Sequence, residues 1–403
     1  MKRVLVALLA VVAVGGGLLV GMLMAGGGAK ASSTTDPSQV AGAGSPPVLA
    51  PPSPTATPSA TAPPTPAPTP TPTPAPTPVP TPVLVPAPLT GVLVPPAVAA
   101  RHPIAVMIDD LGPARPQSGF GAASVVWQAP AEGGIPRYML IFQENIPGEV
   151  GPVRSSRYYY IAWAAEWRAV YAHAGGSPQA LQTLRQKGNG QLVYNADEFR
   201  WGNSFWRVKK RFPPHNLYTD GDHLRKIAKS VKAKDGPMEP AWKFGPALAE
   251  MARPRGGRIQ VAYPYNQITY RYDWKSNTYL RGVTGAAKQT DGATGARVAP
   301  KNVVIMLMKF GPLNDGSHKH RLEADVVGTG TAWIATNGST IKGTWRKKSL
   351  TDPTQFFDAK GKQVTLTVGQ TFVQVLQTGS KVTITPGDPP PPPDPRSRYS
   401  AAD

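Results

Sequence analysis

The chain has 403 residues, with 43 Lys and Arg against 24 Asp and Glu, a formal net charge of +19, and no cysteine. The missing thiols exclude disulfides, thiolate catalysis and Cys-ligated zinc, so ordinary core packing must stabilise whatever folds. Nearly all of the charge lies after residue 100, with 40 Lys and Arg against 23 Asp and Glu; this suits salt-sensitive association with polyanions without defining a site.

Residues 1–31 begin with Lys2 and Arg3 ahead of an uncharged apolar run from Val4 to Met24. Such a run is long enough to cross a bilayer as a helix, with the positive end cytoplasmic and everything after it outside. Ala29-Lys30-Ala31 also fits a small-x-small cleavage site, but the apolar run exceeds the ~7–15 residue core of a cleaved secretory signal. The reading is an uncleaved single-pass membrane anchor with extracytoplasmic folded domains, and export follows even if the segment is cleaved.

Residues 32–100 are mostly Pro, Thr, Ala and Ser, with PPTPAPTPTPTPAPTPVPTP at their centre. No core can form from this composition, and proline's fixed geometry makes it a disordered, semi-rigid spacer of ~3.1 Å per residue. Its predicted role is reach into or beyond a cell envelope. A second proline tract, PGDPPPPPDPRS, makes 387–403 an expected disordered tail.

Between these lie two expected domains, 101–240 and 255–386, separated by a Pro, Gly and Ala-rich stretch at 236–257. The first alternates apolar runs with helical stretches: HPIAVMID, SVVWQAP, RYMLIFQE, a helix through SSRYYYIAWAAEW, AVYAHA, a helix after Ser177, and HLRKIAKSVKAK behind a capping box of Thr219 and Asp222. The second consists of short β-rich runs broken by turn signals such as Asn337-Gly338, Lys360-Gly361 and Thr378-Gly379. The fold class is therefore α+β: a mixed sheet with helices in the first domain and a mostly antiparallel β second domain.

VYAHAGGSPQAL has the shape of a hydrolase nucleophile elbow around Ser177. The elbow, however, needs a backbone N–H on the residue after the serine, and that residue is Pro178. Ser177 reads instead as a helix N-cap with proline at the first helical position, while Gly175 and Gly176 allow the tight turn before it. Such a helix start can also receive an anion.

GPVRSSRYYY places Arg154 and Arg157 three apart at a predicted helix start, where the macrodipole disfavours cations. Either an anionic ligand or internal carboxylates, with Glu132 or Asp109 as partners, would compensate them. Arg115 and Arg137 stand at predicted strand ends and join the ligand-binding candidates, with Gly175, Gly176, Ser177 and Asn216. Glu132, followed by two glycines, is the candidate general acid or base, with His173 or His215 as its partner. Asp109 and Asp110 end the first strand and, as strand neighbours, point to opposite faces. His318 and His320 in SHKH lack further ligands at definable spacing, so no metal and no cofactor are expected. FWRVKKRF interleaves aromatics with cations, but an outside location argues against nucleic acid.

In order, RHPIAVMIDD, ARPQSGFGAASVVWQAPAEGGIPRYMLIFQE, GPVRSSRYYY, VYAHAGGSPQAL and PPHNLYT resemble the N-terminal domain of the YerB-like family of bacterial envelope lipoproteins. NVVIMLMKF, VVGTGTAWIATNGSTIKGTWRKKS and FFDAKGKQVTLTVGQTFVQV resemble that family's β-rich C-terminal domain. The resemblance covers about 101–376 and implies no reaction, because the family is one of unknown function. It implies a lipid anchor through a cysteine, which this sequence lacks, so the apolar helix is expected to replace it. Three functions follow as expectations: an envelope protein binding an anionic or glycan-like polymer through the arginines, an envelope-acting hydrolase or transferase using Glu132 with a histidine, and a protein-interaction scaffold. The sequence does not fix an oligomeric state.

Overall fold

The computed structural model describes residues 83–392. The expected anchor at 1–31 and most of the spacer lie outside these residues; among the described residues no helix is long and apolar enough to cross a membrane. The protein is mixed α and β, with few helices and many strands.

Ten strands form one mixed sheet: β1 (Ile104–Asp109), β2 (Val125–Ala129), β3 (Arg137–Phe142), β4 (Val170–His173), β5 (Tyr194–Asp197), β6 (Asn302–Met308), β7 (Gly328–Thr336), β8 (Ser339–Lys347), β9 (Gln355–Asp358) and β10 (Thr371–Gln377). Their order is β9-β8-β7-β6-β10-β2-β3-β1-β4-β5. The pairs β6–β10, β10–β2, β1–β4 and β4–β5 are parallel, and the others antiparallel.

Strands from both expected domains thus hydrogen-bond within one sheet, joined where Thr371–Gln374 of β10 lie parallel to Val125–Gln128 of β2. Both strands are near-continuous buried runs, as a strand covered on two faces must be. The β-rich second segment is therefore not wholly antiparallel, because β10 runs parallel to both of its neighbours. The stretch read as a boundary also packs. Lys243–Gly245 pairs with Thr365–Thr367, and the buried Trp242 donates Nε1–H to the Thr354 carbonyl at 2.7 Å.

A four-stranded antiparallel sheet, in the order Thr278–Val283, Asn266–Asp273, Arg258–Tyr263, Val382–Thr385, packs on one face of the large sheet. Alternating burial along Asn266–Asp273 shows one face turned inward. The other face of the large sheet is covered by α1 (Tyr158–Ala164), whose Trp163 stacks on Trp127 with ring centroids 4.7 Å apart. Two further helices are α2 (Pro178–Leu184) and α3 (Gly221–Ser230).

Parts of the expected spacer and tail are structured. Val85–Pro86 pairs with Leu93–Val94, Pro96–Ala99 forms a helical turn, and Ala87, Leu89 and Ala99 are buried. These apolar side chains have a core to enter. At the other end, Arg255 and Asp388 form an antiparallel bridge inside the expected tail. The cap of α3 is Asp220, whose Oδ1 accepts from the His223 N–H at 2.8 Å; Thr219 donates its hydroxyl to the Ser204 carbonyl instead.

Two buried charge networks tie the segments together. Lys347 Nζ lies 3.0 Å from Glu166 Oε1, and both side chains are fully buried. Arg281, also fully buried, donates to Gln128 Oε1 at 2.6 Å, to Tyr270 at 3.0 Å and to Gln289. Beside it, Asp110 accepts from Arg115 at 3.1 Å, Asn266 at 3.0 Å and Gln128 at 2.5 Å. Burial pushes the Asp110 carboxyl above its ordinary value against the pull of Arg115 and Arg281.

Candidate functional site

Strands β1, β4 and β5 run parallel and end at one edge of the sheet with Asp109, His173 and Asp197. Antiparallel β3 starts at the same edge, placing Arg137 directly across from Asp109. In open α/β sheets the carboxyl edge is where ligands bind, because loops there can carry varied side chains over a fixed frame.

Asp109 is fully buried at the centre of this edge. Its Oδ2 lies 2.9 Å from Arg154 Nε and 2.6 Å from His215 Nδ1, and its Oδ1 lies 3.8 Å from Arg137 and accepts from the Leu111 N–H at 3.1 Å. Glu132, in a 3-10 turn between β2 and β3, forks onto Arg157: Nε donates to Oε2 at 2.7 Å and Nη2 to Oε1. Arg137 stands between the two carboxylates, with Nη2 at 3.9 Å from Glu132 Oε1. Arg137, Arg154 and Arg157 against Asp109 and Glu132 leave one cation in surplus. Burial draws the Arg154 pKa down despite Asp109, and Arg137 adds to the effect; burial also lowers Arg157. The guanidinium groups stay charged.

The arginines do not share a helix face. Arg157 is the N-cap of α1, and Arg154 lies before it in extended chain. The N–H of Arg154 meets the Met107 carbonyl at 2.9 Å and that of Ser156 the Gly175 carbonyl at 2.9 Å, while the Arg154 and Ser156 carbonyls accept from the Ala174 and Ser177 N–H groups at 3.1 and 3.2 Å and so are not free to start the helix earlier. These bonds lay GPVRSSR alongside HAGGS, as the Ser156–Gly176 bridge shows. Gly175 has φ +65°, and a Cβ on Gly176 would come within 3.3 Å of Ser156 and Leu181, so both glycines serve this close approach.

Ser177 caps α2, accepting from the Ala180 N–H at 3.3 Å, with Pro178 at the first helical position. Its hydroxyl is buried as a cap, and the adjoining Gly175 N–H already meets Asp197 Oδ1 at 3.3 Å. Ser177→Ala is expected to lower stability by about 1 kcal/mol, read as a shift of the urea midpoint with an unchanged slope.

The other candidates are placed as follows. His173 is buried, with Nδ1 2.8 Å from the Gly175 carbonyl and Nε2 2.8 Å from Asn195 Oδ1, so both ring nitrogens hold the turn. Asn216 accepts from Arg207 at 3.0 Å and steadies the hairpin of Trp206–Arg207 with Leu217–Tyr218. Arg115 is committed to Asp110, Asn266 and the Thr284 carbonyl. Asp109 and Asp110 do point apart, one to the arginines and the other to the Arg281 network. His215 lines a cleft of about 450 Å³ with Arg115, Ser118, Lys210, Phe212 and Tyr218, and no carboxylate is among the lining side chains. Asp109 as the hub, and the exposed rings of Phe199 and Phe212, escaped the sequence reading; an acidic residue ending a strand was the available signal for the first.

The order of these motifs and the shared sheet define the chain's family. Residues 89–234 match the N-terminal domain of a protein family of unknown function, DUF3048, and residues 259–373 match its C-terminal domain. The chain belongs to this family. It is 31% identical over 312 residues to a Bacillus subtilis (strain 168) protein named "Putative lipoprotein YerB", covering 75% of this chain and 89% of that one. The crystal structure of YerB protein from Bacillus subtilis superposes with a TM-score of 0.65 at 28% identity, over 74% of this chain and 99% of the other.

Proposed function

We propose that the protein is a membrane-tethered, extracytoplasmic envelope protein that binds an anionic or glycan-like ligand at the arginine-lined carboxyl edge of its large sheet. The observation that carries this is Arg137. Its side chain is 9% exposed, its Nε and Nη1 are buried without a hydrogen-bond partner among the described residues, and the nearest carboxylates among them stand 3.8 and 3.9 Å away. Each buried unsatisfied donor costs about 1–3 kcal/mol, which an arriving anion would recover. Arg154 meets Asp109 only through Nε, leaving its outer nitrogens for the same ligand. The tether is supported by the apolar run after Lys2 and Arg3 and by the name of the Bacillus relative.

The full chain is expected to bind inorganic phosphate or galacturonate with an affinity that persists at high salt. Arg137→Lys, which keeps the charge and loses the fork, should weaken binding about tenfold, and Arg154→Ala should weaken it as well. Binding that vanishes at moderate salt and ignores both substitutions would leave only the net charge as its source. A second reading has one observation behind it: Asp109 orients His215 through Nδ1 while the ring lines an open cleft, the arrangement of a general base. Glu132, gripped by Arg157, is less suited to that role. Hydrolysis of envelope glycans that is lost in His215→Gln and retained in Glu132→Gln would favour it.

A further inference from the structure

We infer that the ligand of this edge is an extended acidic polysaccharide whose sugar rings stack on Phe199 and Phe212, at the same sheet edge as the arginine cluster; this rests on the anion-binding reading above. Phe199 and Phe212 are the two most exposed large apolar side chains among the described residues, at 80% and 87%. Single exposed apolar residues are ordinary, but these two are rings at the same edge, and each is held in place.

Phe199 follows β5 by two residues. Its N–H meets Asp197 Oδ1 at 3.3 Å, and its ring lies over the Gly175 turn, 3.3 Å from where a Cβ would stand. Phe212 sits in the loop before His215, whose N–H donates to the Phe212 carbonyl at 2.9 Å. The adjoining Arg211 fastens that loop to the end of β1 through the carbonyls of Pro113, Arg115 and Pro116, at 2.6, 3.1 and 2.8 Å. Because β4 lies between β1 and β5, the end of β5 that leads into Phe199 and the end of β1 that leads into the loop holding Arg211 are about 10 Å apart, more than one sugar ring can cover.

The chain between the rings is uniformly basic. From residue 199 to 218 it contains Arg200, Arg207, Lys209, Lys210 and Arg211 and no Asp or Glu. Lys210 and His215 reach the cleft beside Phe212; Arg154 meets Asp109 at the end of β1, and Arg137 starts β3, next to β1 on the side away from β4 and β5, so both arginines lie along the same edge as the rings. Flat apolar faces alternating with cations match a polymer that alternates ring faces with carboxylates. A bilayer would instead call for a contiguous apolar surface, and here the rings are separated by charge.

Calorimetric titration of the full chain with galacturonic acid and its oligomers of increasing length tests this. Affinity is expected to rise with oligomer length until both rings are spanned. Phe199→Ala and Phe212→Ala should each weaken the long oligomers about tenfold and leave the monomer unchanged, with Phe212→Trp restoring the loss. Binding that depends on Arg137 and Arg154 but is independent of length and of both phenylalanines would overturn the polymer inference and leave the anion reading standing. Binding to phosphatidylglycerol vesicles that requires the two rings, with no oligomer binding, would overturn it in favour of a lipid surface. Absence of any uronate binding by the wild type would overturn it as well.

Discussion

Lys347→Met is expected to destabilise the protein by about 3–5 kcal/mol, because it strands a buried carboxylate without its cation. Lys347 ends β8, and Glu166 lies in the 3-10 turn after α1. The pair sits at 3.0 Å with neither side chain exposed. Glu166 Oε1 also accepts from the Thr354 hydroxyl at 2.6 Å, and Lys347 donates to the Asp352 carbonyl, but Glu166 Oε2 has no partner among the described residues. The carboxylate is thus only half supported, and losing the lysine removes most of what balances it. The double variant Lys347→Met with Glu166→Leu should recover most of the loss, since two well-packed apolar side chains remove both desolvation penalties. Urea unfolding of the two singles and the double measures this coupling; single variants within about 0.5 kcal/mol of wild type would show that the pair contributes nothing.

Arg281→Leu should have an effect of similar size, and it should also change how stability depends on pH. Arg281 donates to Gln128, Gln289 and Tyr270, and it faces the rings of Tyr138, Tyr270 and Phe372 at 5.4, 5.5 and 5.8 Å. Its loss leaves Gln128 Oε1 and Gln289 Oε1 buried without a donor, costing about 3 kcal/mol or more. Asp110 supplies the pH signature. Burial raises its folded pKa above the ordinary 3.8, so the native state holds this proton more tightly than the unfolded chain does. Its contribution is complete below 3.8 and is lost as pH rises through the folded value. Arg281 lowers that folded value, so Arg281→Leu moves it higher and carries the loss of stability further toward neutral pH. Urea midpoints taken from acid to neutral pH should fall more steeply in the variant; parallel curves would show that Arg281 does not act on Asp110.

The Ser177 turn shows how far local chemistry reaches. Pro178 lacks the N–H an elbow needs, and the structure has the cap and helix that this implies, because capping depends on residues within one turn. Strand runs such as IAVMID and VVWQA were equally legible from apolar content. The pairing of Arg157 with Glu132 and of Arg154 with Asp109 was foreseen as one of two alternatives, since buried cations need carboxylates wherever they come from. The exposed rings of Phe199 and Phe212 had no signal, because an isolated aromatic in a loop reads the same whether it is buried or not.

By itself the sequence determined the absence of thiol chemistry, the positions of most strands, the cap at Ser177, the opposed directions of Asp109 and Asp110, and the surplus of cations. Tertiary structure alone decided that strands from both segments share one sheet and that residues 85–99, read as spacer, form paired strands and a helical turn. It also decided that Asp109 gathers Arg137 from the neighbouring strand and Arg154 and His215 from two separate loops. The reason is range. Periodicity, caps and alternation are set by neighbours a few residues apart, whereas the partner of a fully buried strand such as β2 or β10 is chosen by packing between segments some 250 residues apart in the chain.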